Sequence, residues 1–259
     1  MNRFAGLRLA VGLLTIVPVR PPETIGRREA RAAMLLAPFA VLPVALAAAL
    51  VGWGATVIGM PSLLAGLVSV AMLAFGTRAM HLDGLADTTD GLGSGKDADR
   101  ALQIMRRGDV GPMGTIALVL ALAMQAVAAG ALLGRPFGWL QLVVLVCLSR
   151  AALVTGCVTG VPSARPGGLG ALVAGSVGRP AAVLSWLVML AVATAAGTLA
   201  GQAPWVPAVG AALAALACLW LVQRCVRRLG GVTGDVLGAL VEVCATVLLV
   251  TATAWPPGR

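Results

Sequence analysis

His81-Leu82-Asp83-Gly84-Leu85-Ala86-Asp87-Thr88-Thr89-Asp90-Gly91 closes a long apolar run, and the rest of the chain is read outward from it. The chain has ten acidic residues, and three of them fall in these eleven positions. Asp83, Asp87 and Asp90 are spaced i, i+4, i+7, which on an α-helix places all three carboxylates within one narrow arc. Like charges so arranged repel one another and destabilise a bare helix, and a divalent cation removes that cost. Carboxylate oxygens suit Mg²⁺ or Mn²⁺, and Mg²⁺ commonly keeps several waters and takes substrate phosphate oxygens as well. The competing reading, a solvated acidic helix end, fits poorly in a chain so poor in charge.

Composition decides what kind of chain carries this stretch. Of 259 residues, 59% are hydrophobic and 11% charged, and the mean hydropathy is +0.95. A soluble domain has about 25% charged residues. The apolar runs are long and unalternating, unlike outer-membrane strands. The expected fold is all-α: a polytopic integral membrane helical bundle of about seven transmembrane helices plus a short N-terminal apolar helix, with residues 1–259 forming one catalytic domain. The net charge of +9 is nearly all arginine, Lys96 being the single lysine. It sits in short loops between apolar runs, as the positive-inside bias predicts, so nucleic acid is not expected as a partner. Arginine also binds phosphate in a planar fork. Cys147, Cys157, Cys218, Cys225 and Cys244 form no C-x-x-C pair, which argues against a disulfide framework or a zinc site.

Outward from the acidic stretch, residues 4–19 read as an interfacial or partly buried helix ended by Pro18, Pro21 and Pro22. A charged segment follows over 20–31. Apolar runs at 32–60, 61–79, 112–134, 138–158, 181–201, 204–222 and from Val236 to Ala254 give seven spans. Loops 20–31, 80–111, 159–180 and 223–235 then share one side, which holds almost all the charge and is expected to be cytosolic. Asp97 or Asp99 is expected to cap a short helix ending before Gly108. The expected protein is multi-pass, with its charged loops in the cytosol. A homo-oligomer is compatible with the sequence and not required by it.

The chemistry-bearing residues converge on that charged side. Asp235 lies near the acidic stretch in this map, and Glu242, seven residues on, shares its helix face about two turns into the membrane. Glu242 and Arg150, both inside predicted spans, are functional candidates because ionisable groups there are costly; a neutral bonded Glu and a snorkelling Arg are the alternatives. His81, the single histidine, is a candidate general base for an alcohol or else a structural hydrogen-bond partner. The Gly-rich segments 159–179 and 230–235 can bring backbone close to a large ligand or phosphate, with Arg165 on a substrate diphosphate. Carboxylates with a metal, arginines and glycine loops together suit phosphoryl transfer, which needs positioning and charge neutralisation.

Four segments carry a resemblance. They are His81 to Gly91; Ala101-Leu102-Gln103-Ile104-Met105-Arg106 with Val110-Gly111; Ser149-Arg150 with Ala164-Arg165 and Gly168-Leu169-Gly170; and Leu229-Gly230-Gly231-Val232-Thr233-Gly234-Asp235-Val236-Leu237-Gly238-Ala239 with Glu242. In this order they resemble the cobalamin synthase family, adenosylcobinamide-GDP ribazoletransferase, over nearly the whole chain. The resemblance implies a polytopic inner-membrane enzyme that would join adenosylcobinamide-GDP to α-ribazole or its 5′-phosphate, release GMP and use Mg²⁺. It implies catalytic roles for His81, Asp83, Asp87, Asp90, Arg150, Asp235 and Glu242, with Asp83, Asp87 and Asp90 on the metal. It implies substrate contacts at Arg106, Arg165, Gly168, Gly170, Gly231, Thr233 and Gly234. Many relatives read roughly Met-Arg-Asp-Ser-Arg-Ile-Gly where this chain reads Met105-Arg106-Arg107-Gly108-Asp109-Val110-Gly111, so no role is assigned to Asp109.

Two other readings compete. A CDP-alcohol phosphotransferase also uses helically spaced aspartates, but Asp83-Gly84-Leu85-Ala86 is followed here by Asp87 and the later spacing fails. A transporter would place Glu242 and Arg150 on an ion path and carry internal repeats and helices broken at mid-membrane, neither of which the sequence displays.

Overall fold

The computed structural model describes residues 4–253. In chain order the helices are α1 (Ala5–Leu14), α2 (Arg27–Ala40), α3 (Leu42–Val57), α4 (Ser62–Gly76), α5 (Met80–Gly93), α6 (Ala98–Ile104), α7 (Pro112–Leu133), α8 (Gly138–Ser149), α9 (Leu153–Cys157), α10 (Gly168–Val173), α11 (Arg179–Leu199), α12 (Trp205–Leu229) and α13 (Gly234–Thr253). Two isolated parallel bridges, Val158 with Val177 and Ser163 with Val232, are the β pairing among the described residues. This is the expected multi-pass helical bundle. Six helical stretches are long and apolar enough to cross a membrane: Arg27–Val57, Pro112–Leu133, Gly138–Cys157, Arg179–Leu199, Trp205–Leu229 and Gly234–Thr253.

The seventh expected span is different in kind. The run at 61–79 yields α4, 15 residues and about 22 Å long, short of a ~30 Å hydrocarbon core. The chain then bends by 90° into α5. Arg78 and Ala79 make the corner with φ of 56° and 53°, a left-handed conformation that residues with a Cβ rarely adopt. The corner is held from outside, since Arg78 donates to the carbonyl oxygens of Gly12 at 2.8 Å and Leu13 at 3.0 Å, and Ile16 N–H bonds the Gly76 carbonyl. α5 therefore runs along the end of the bundle rather than through it.

Two further expectations are corrected. The charged segment 20–31 is not all loop, because helix begins at Arg27, its first turn supported by the Glu29 carboxylate on the Gly26 N–H. Unbroken spans were expected, yet Gly138–Cys157 is interrupted by a 3-10 turn at Arg150–Ala152. There Arg150 turns its Nη1 back onto the Val146 carbonyl and the Ser149 hydroxyl, both at 2.9 Å.

α13 is the hub, packed against α5, α7, α8 and α12, and α4 packs closely along α7. Glycines permit these approaches: a Cβ at Gly66 would lie 1.9 Å from the Ala126 carbonyl, and one at Gly84 would lie 2.5 Å from the Asp235 carbonyl. Such close packing of small residues is what drives helix association where lipid surrounds the protein. The outer faces of α3, α4, α7, α11 and α12 carry exposed apolar side chains such as Leu64, Phe75, Val119, Leu184 and Leu216, which suit a lipid surround.

The four charged segments do meet on one side. Arg27 donates to the Ala174 carbonyl at 2.8 Å, Arg165 to the Leu102 carbonyl at 2.9 Å, and Arg228 to the Lys96 carbonyl at 3.1 Å. Ala164 and Val232 are joined backbone to backbone.

Candidate active site

α5 forms as its spacing predicts, and it sets Asp83, Asp87 and Asp90 along one helix. Gly84 lets it approach the start of α13 closely enough to bring Asp235 beside Asp83 and Asp87. Asp83 is exposed, Asp87 and Asp235 half-buried. The proton affinity of Asp87 shows how crowded this negative charge is. Burial first, then the charges of Asp83, Asp235 and Asp90, push its carboxyl up to about 6, with Arg165 acting in the opposite direction.

Asp90 faces elsewhere. Its two oxygens accept the backbone N–H groups of Gly111 at 2.7 Å and Gly114 at 2.9 Å, and a Cβ on either glycine would collide with the carboxylate. The carboxylate anchors the first turn of α7, where orphan N–H groups and the helix dipole favour an anion. Asp90 is thus taken up by α7, and Asp235 rather than Asp90 stands with Asp83 and Asp87. Among the described residues no three His, Cys, Asp or Glu side chains stand close enough to enclose a metal ion by themselves. That donor set fits a cation that completes its shell with water and phosphate, the habit of Mg²⁺, rather than one held in an all-protein cage.

Arg165 borders the carboxylates. Its Nη1 lies 3.7 Å from Asp235 Oδ2 while Nη2 bonds the Leu102 carbonyl. Arg106 is exposed and near enough for its charge to bear on Arg165. Thr233 caps α13: its hydroxyl donates to Asp235 Oδ2 at 3.1 Å and accepts the Val236 N–H at 3.3 Å.

The glycines divide. Gly168, with φ +84° and open space around its Cα, and Gly234, whose nearest neighbour would be Leu169 at 4.0 Å, remain free to meet a ligand. Gly231 and Gly170 do not. A Cβ on Gly231 would meet the Pro162 carbonyl at 2.4 Å, and one on Gly170 would meet Thr233 Cα at 3.0 Å. Both serve to lay the 159–179 segment against the start of α13, which corrects their expected substrate contact.

His81, Arg150 and Glu242 are buried behind the cluster. Neither ring nitrogen of His81 has a partner. Burial, and then the Arg150 charge, hold its imidazole down to about 3, which disfavours it as the base for an alcohol proton. Glu242 accepts from Gln125 Nε2 at 2.8 Å, and the Gln125 amide also reaches Thr246 Oγ1 at 3.0 Å. Arg150, Glu242, Gln125 and Thr77 line a cavity of about 20 Å³, room for one water. Gln125 was missed in the sequence, although a lone amide inside the apolar run 112–134 was the signal for it.

The family model described as cobalamin-5-phosphate synthase matches residues 6–253. An adenosylcobinamide-GDP ribazoletransferase of Nocardioides sp. is 46% identical over 248 residues, covering 96% of this chain and 96% of its own. One of Frankia casuarinae is 41% identical over 268 residues, covering 96% and 95%. One of Bradyrhizobium diazoefficiens is 37% identical over 258 residues, covering 100% and 96%. No solved structure matches the chain.

Proposed function

This chain belongs to the cobalamin-5-phosphate synthase family, and on that premise we propose that it is an adenosylcobinamide-GDP ribazoletransferase of the bacterial inner membrane with its charged face in the cytosol. The observation that carries the proposal is the joint placement of Asp83, Asp87 and Asp235 with Arg165 on one face of the bundle. Negative charge in excess of the local arginines is what a site must hold if a metal and a diphosphate are to complete it.

The substrates are adenosylcobinamide-GDP and α-ribazole or its 5′-phosphate. A ribose hydroxyl of the acceptor attacks the phosphorus nearest the corrinoid, the bond from that phosphorus to the GMP oxygen breaks, and GMP leaves. The hydroxyl proton goes to a carboxylate of the cluster. Asp83 and Asp87 fit Mg²⁺, which when bound supplies charge neutralisation for the diphosphate. Arg165, joined by exposed Arg106, holds phosphate oxygens in a planar fork that lysine would not reproduce. Asp90, Thr233, Gly170 and Gly231 keep α5, α13 and the 159–179 segment in register around the reacting atoms.

Purified protein given adenosylcobinamide-GDP, α-ribazole and Mg²⁺ is expected to release GMP and a complete cobalamin in equal amounts, and a chelator is expected to stop both. Failure to form cobalamin with any divalent metal, together with CMP release from a CDP-activated lipid and an alcohol, would give the site to CDP-alcohol chemistry instead.

A further inference from the structure

Beside the carboxylates lies a pocket of about 170 Å³ that the reaction as described does not use. Its inner wall is apolar and buried, with Leu14, Met34, Leu153 and Leu237 contributed by α1, α2, α9 and α13. Its rim is Asp83, Asp235, Gly234 and Leu169, all exposed or half-buried. One polar side chain stands inside: His81, 2% exposed, with both ring nitrogens unpartnered. An imidazole so buried costs free energy unless something completes its hydrogen bonding, and no protein group there does.

An apolar cavity of ~150 Å³ is enough to admit one benzene. This one is slightly larger, opens onto the carboxylates and has His81 as the one polar side chain of its buried wall. We propose that it receives the flat heteroaromatic base of the nucleoside acceptor, whose ring nitrogen bonds His81 and whose ribose is left at the rim between Asp83 and Asp235. The inference rests on the ribazoletransferase reading and names the subsite for one of its two substrates. The corrinoid is far too large for the pocket.

The arrangement also implies selectivity. A benzimidazole-type base buries an apolar ring and presents one free ring nitrogen, which matches one imidazole. A purine riboside would bury exocyclic polar groups with no partner, and unpaired buried groups discriminate strongly.

Leu169 on α10 is half-buried and stands at the rim, so Leu169→Trp narrows the mouth without entering the bundle core. With the full chain in nanodiscs, GMP release by the unaltered protein first decides the ribazoletransferase reading by itself. In Leu169→Trp the KM for α-ribazole is expected to rise at least tenfold, while the KM for adenosylcobinamide-GDP stays within about twofold. His81→Phe is expected to weaken α-ribazole similarly, and His81→Gln, which keeps a donor, to recover part of the loss. Equilibrium dialysis of α-ribazole alone gives a readout independent of turnover. Binding to the unaltered chain that Leu169→Trp weakens supports the pocket even if no GMP is released. Absence of α-ribazole binding, an unchanged KM in both Leu169→Trp and His81→Phe, or a rise confined to adenosylcobinamide-GDP would overturn it.

Discussion

Arg165 lies 3.7 Å from Asp235 and at the same time bonds the carbonyl of Leu102 at 2.9 Å, so one guanidinium ties the 159–179 segment to both α6 and the start of α13. Each of these partners occupies a different nitrogen of the fork.

A lysine has the charge but not the fork. Arg165→Lys is therefore expected to lower kcat/KM at least tenfold, whereas exposed Arg107→Lys leaves it within about twofold. Steady-state GMP release from the two variants compares them directly, and equal small effects would remove Arg165 from the site.

Asp87 and Asp90 sit on the same helix but do different things, and asparagine separates them. Asp90→Asn replaces one of two acceptors that hold α7 and is expected to cost about 1–2 kcal/mol of stability. Asp87→Asn relieves carboxylate repulsion, so it is expected to keep or raise the melting temperature while activity falls by orders of magnitude. Thermal unfolding and turnover measured on both variants check this; a stable, inactive Asp90→Asn would reverse the assignment.

The raised proton affinity of Asp87 has a definite sign. Its folded value of about 6 lies above the ordinary 3.8, so the folded state favours the protonated form. That contribution to stability is present at low pH and is lost as pH rises from the ordinary value through about 6. In chelator the melting temperature is expected to drop slightly between about pH 5 and pH 7, and Mg²⁺ is expected to raise it more at pH 7 than at pH 5. A Mg²⁺ effect that does not vary over this range would contradict cation binding at Asp87.

A methyl group at Gly84 would press on the Asp235 carbonyl at 2.5 Å and on Gly238 at 3.1 Å. Gly84→Ala is expected to cost about 1–3 kcal/mol through overpacking and to spread Asp235 from Asp83 and Asp87. The matching signature is a raised Mg²⁺ requirement for GMP release alongside the lower melting temperature. A variant as stable and as active as the parent would mean that α5 and α13 are not so closely apposed.

Much of this was legible in the residues. Asp83, Asp87 and Asp90 declared their helix through a 3.6-residue period, and of the two cap candidates, Asp97 and Asp99, it is Asp97 that accepts the Arg100 N–H at 2.9 Å. The loops that face each other followed from where arginine sits. The corner between α4 and α5 was not legible, because Arg78 and Ala79 take a backbone conformation that neither residue favours and that distant carbonyls enforce. The same holds for Asp90: helical spacing puts it on the acidic face, but the N–H groups that claim it belong to α7, twenty or more residues away. Gly170 and Gly231 read as ligand loops because glycine permits any close approach, and only the fold says that what approaches is another stretch of backbone.

On the charged side Arg8, Arg27, Arg78, Arg165 and Arg228 each reach across to the main-chain oxygens of another segment, and Arg165 with Asp235 is the one ion pair among the described residues. Carbonyl oxygens carry no net charge for dissolved ions to screen, whereas opposed surface charges separate in effect once the Debye length falls to ~3 Å in molar salt. The arginine layer thus acts as a set of salt-proof staples. High ionic strength leaves the scaffold around the acids intact and acts instead on the capture of an anionic substrate from solution.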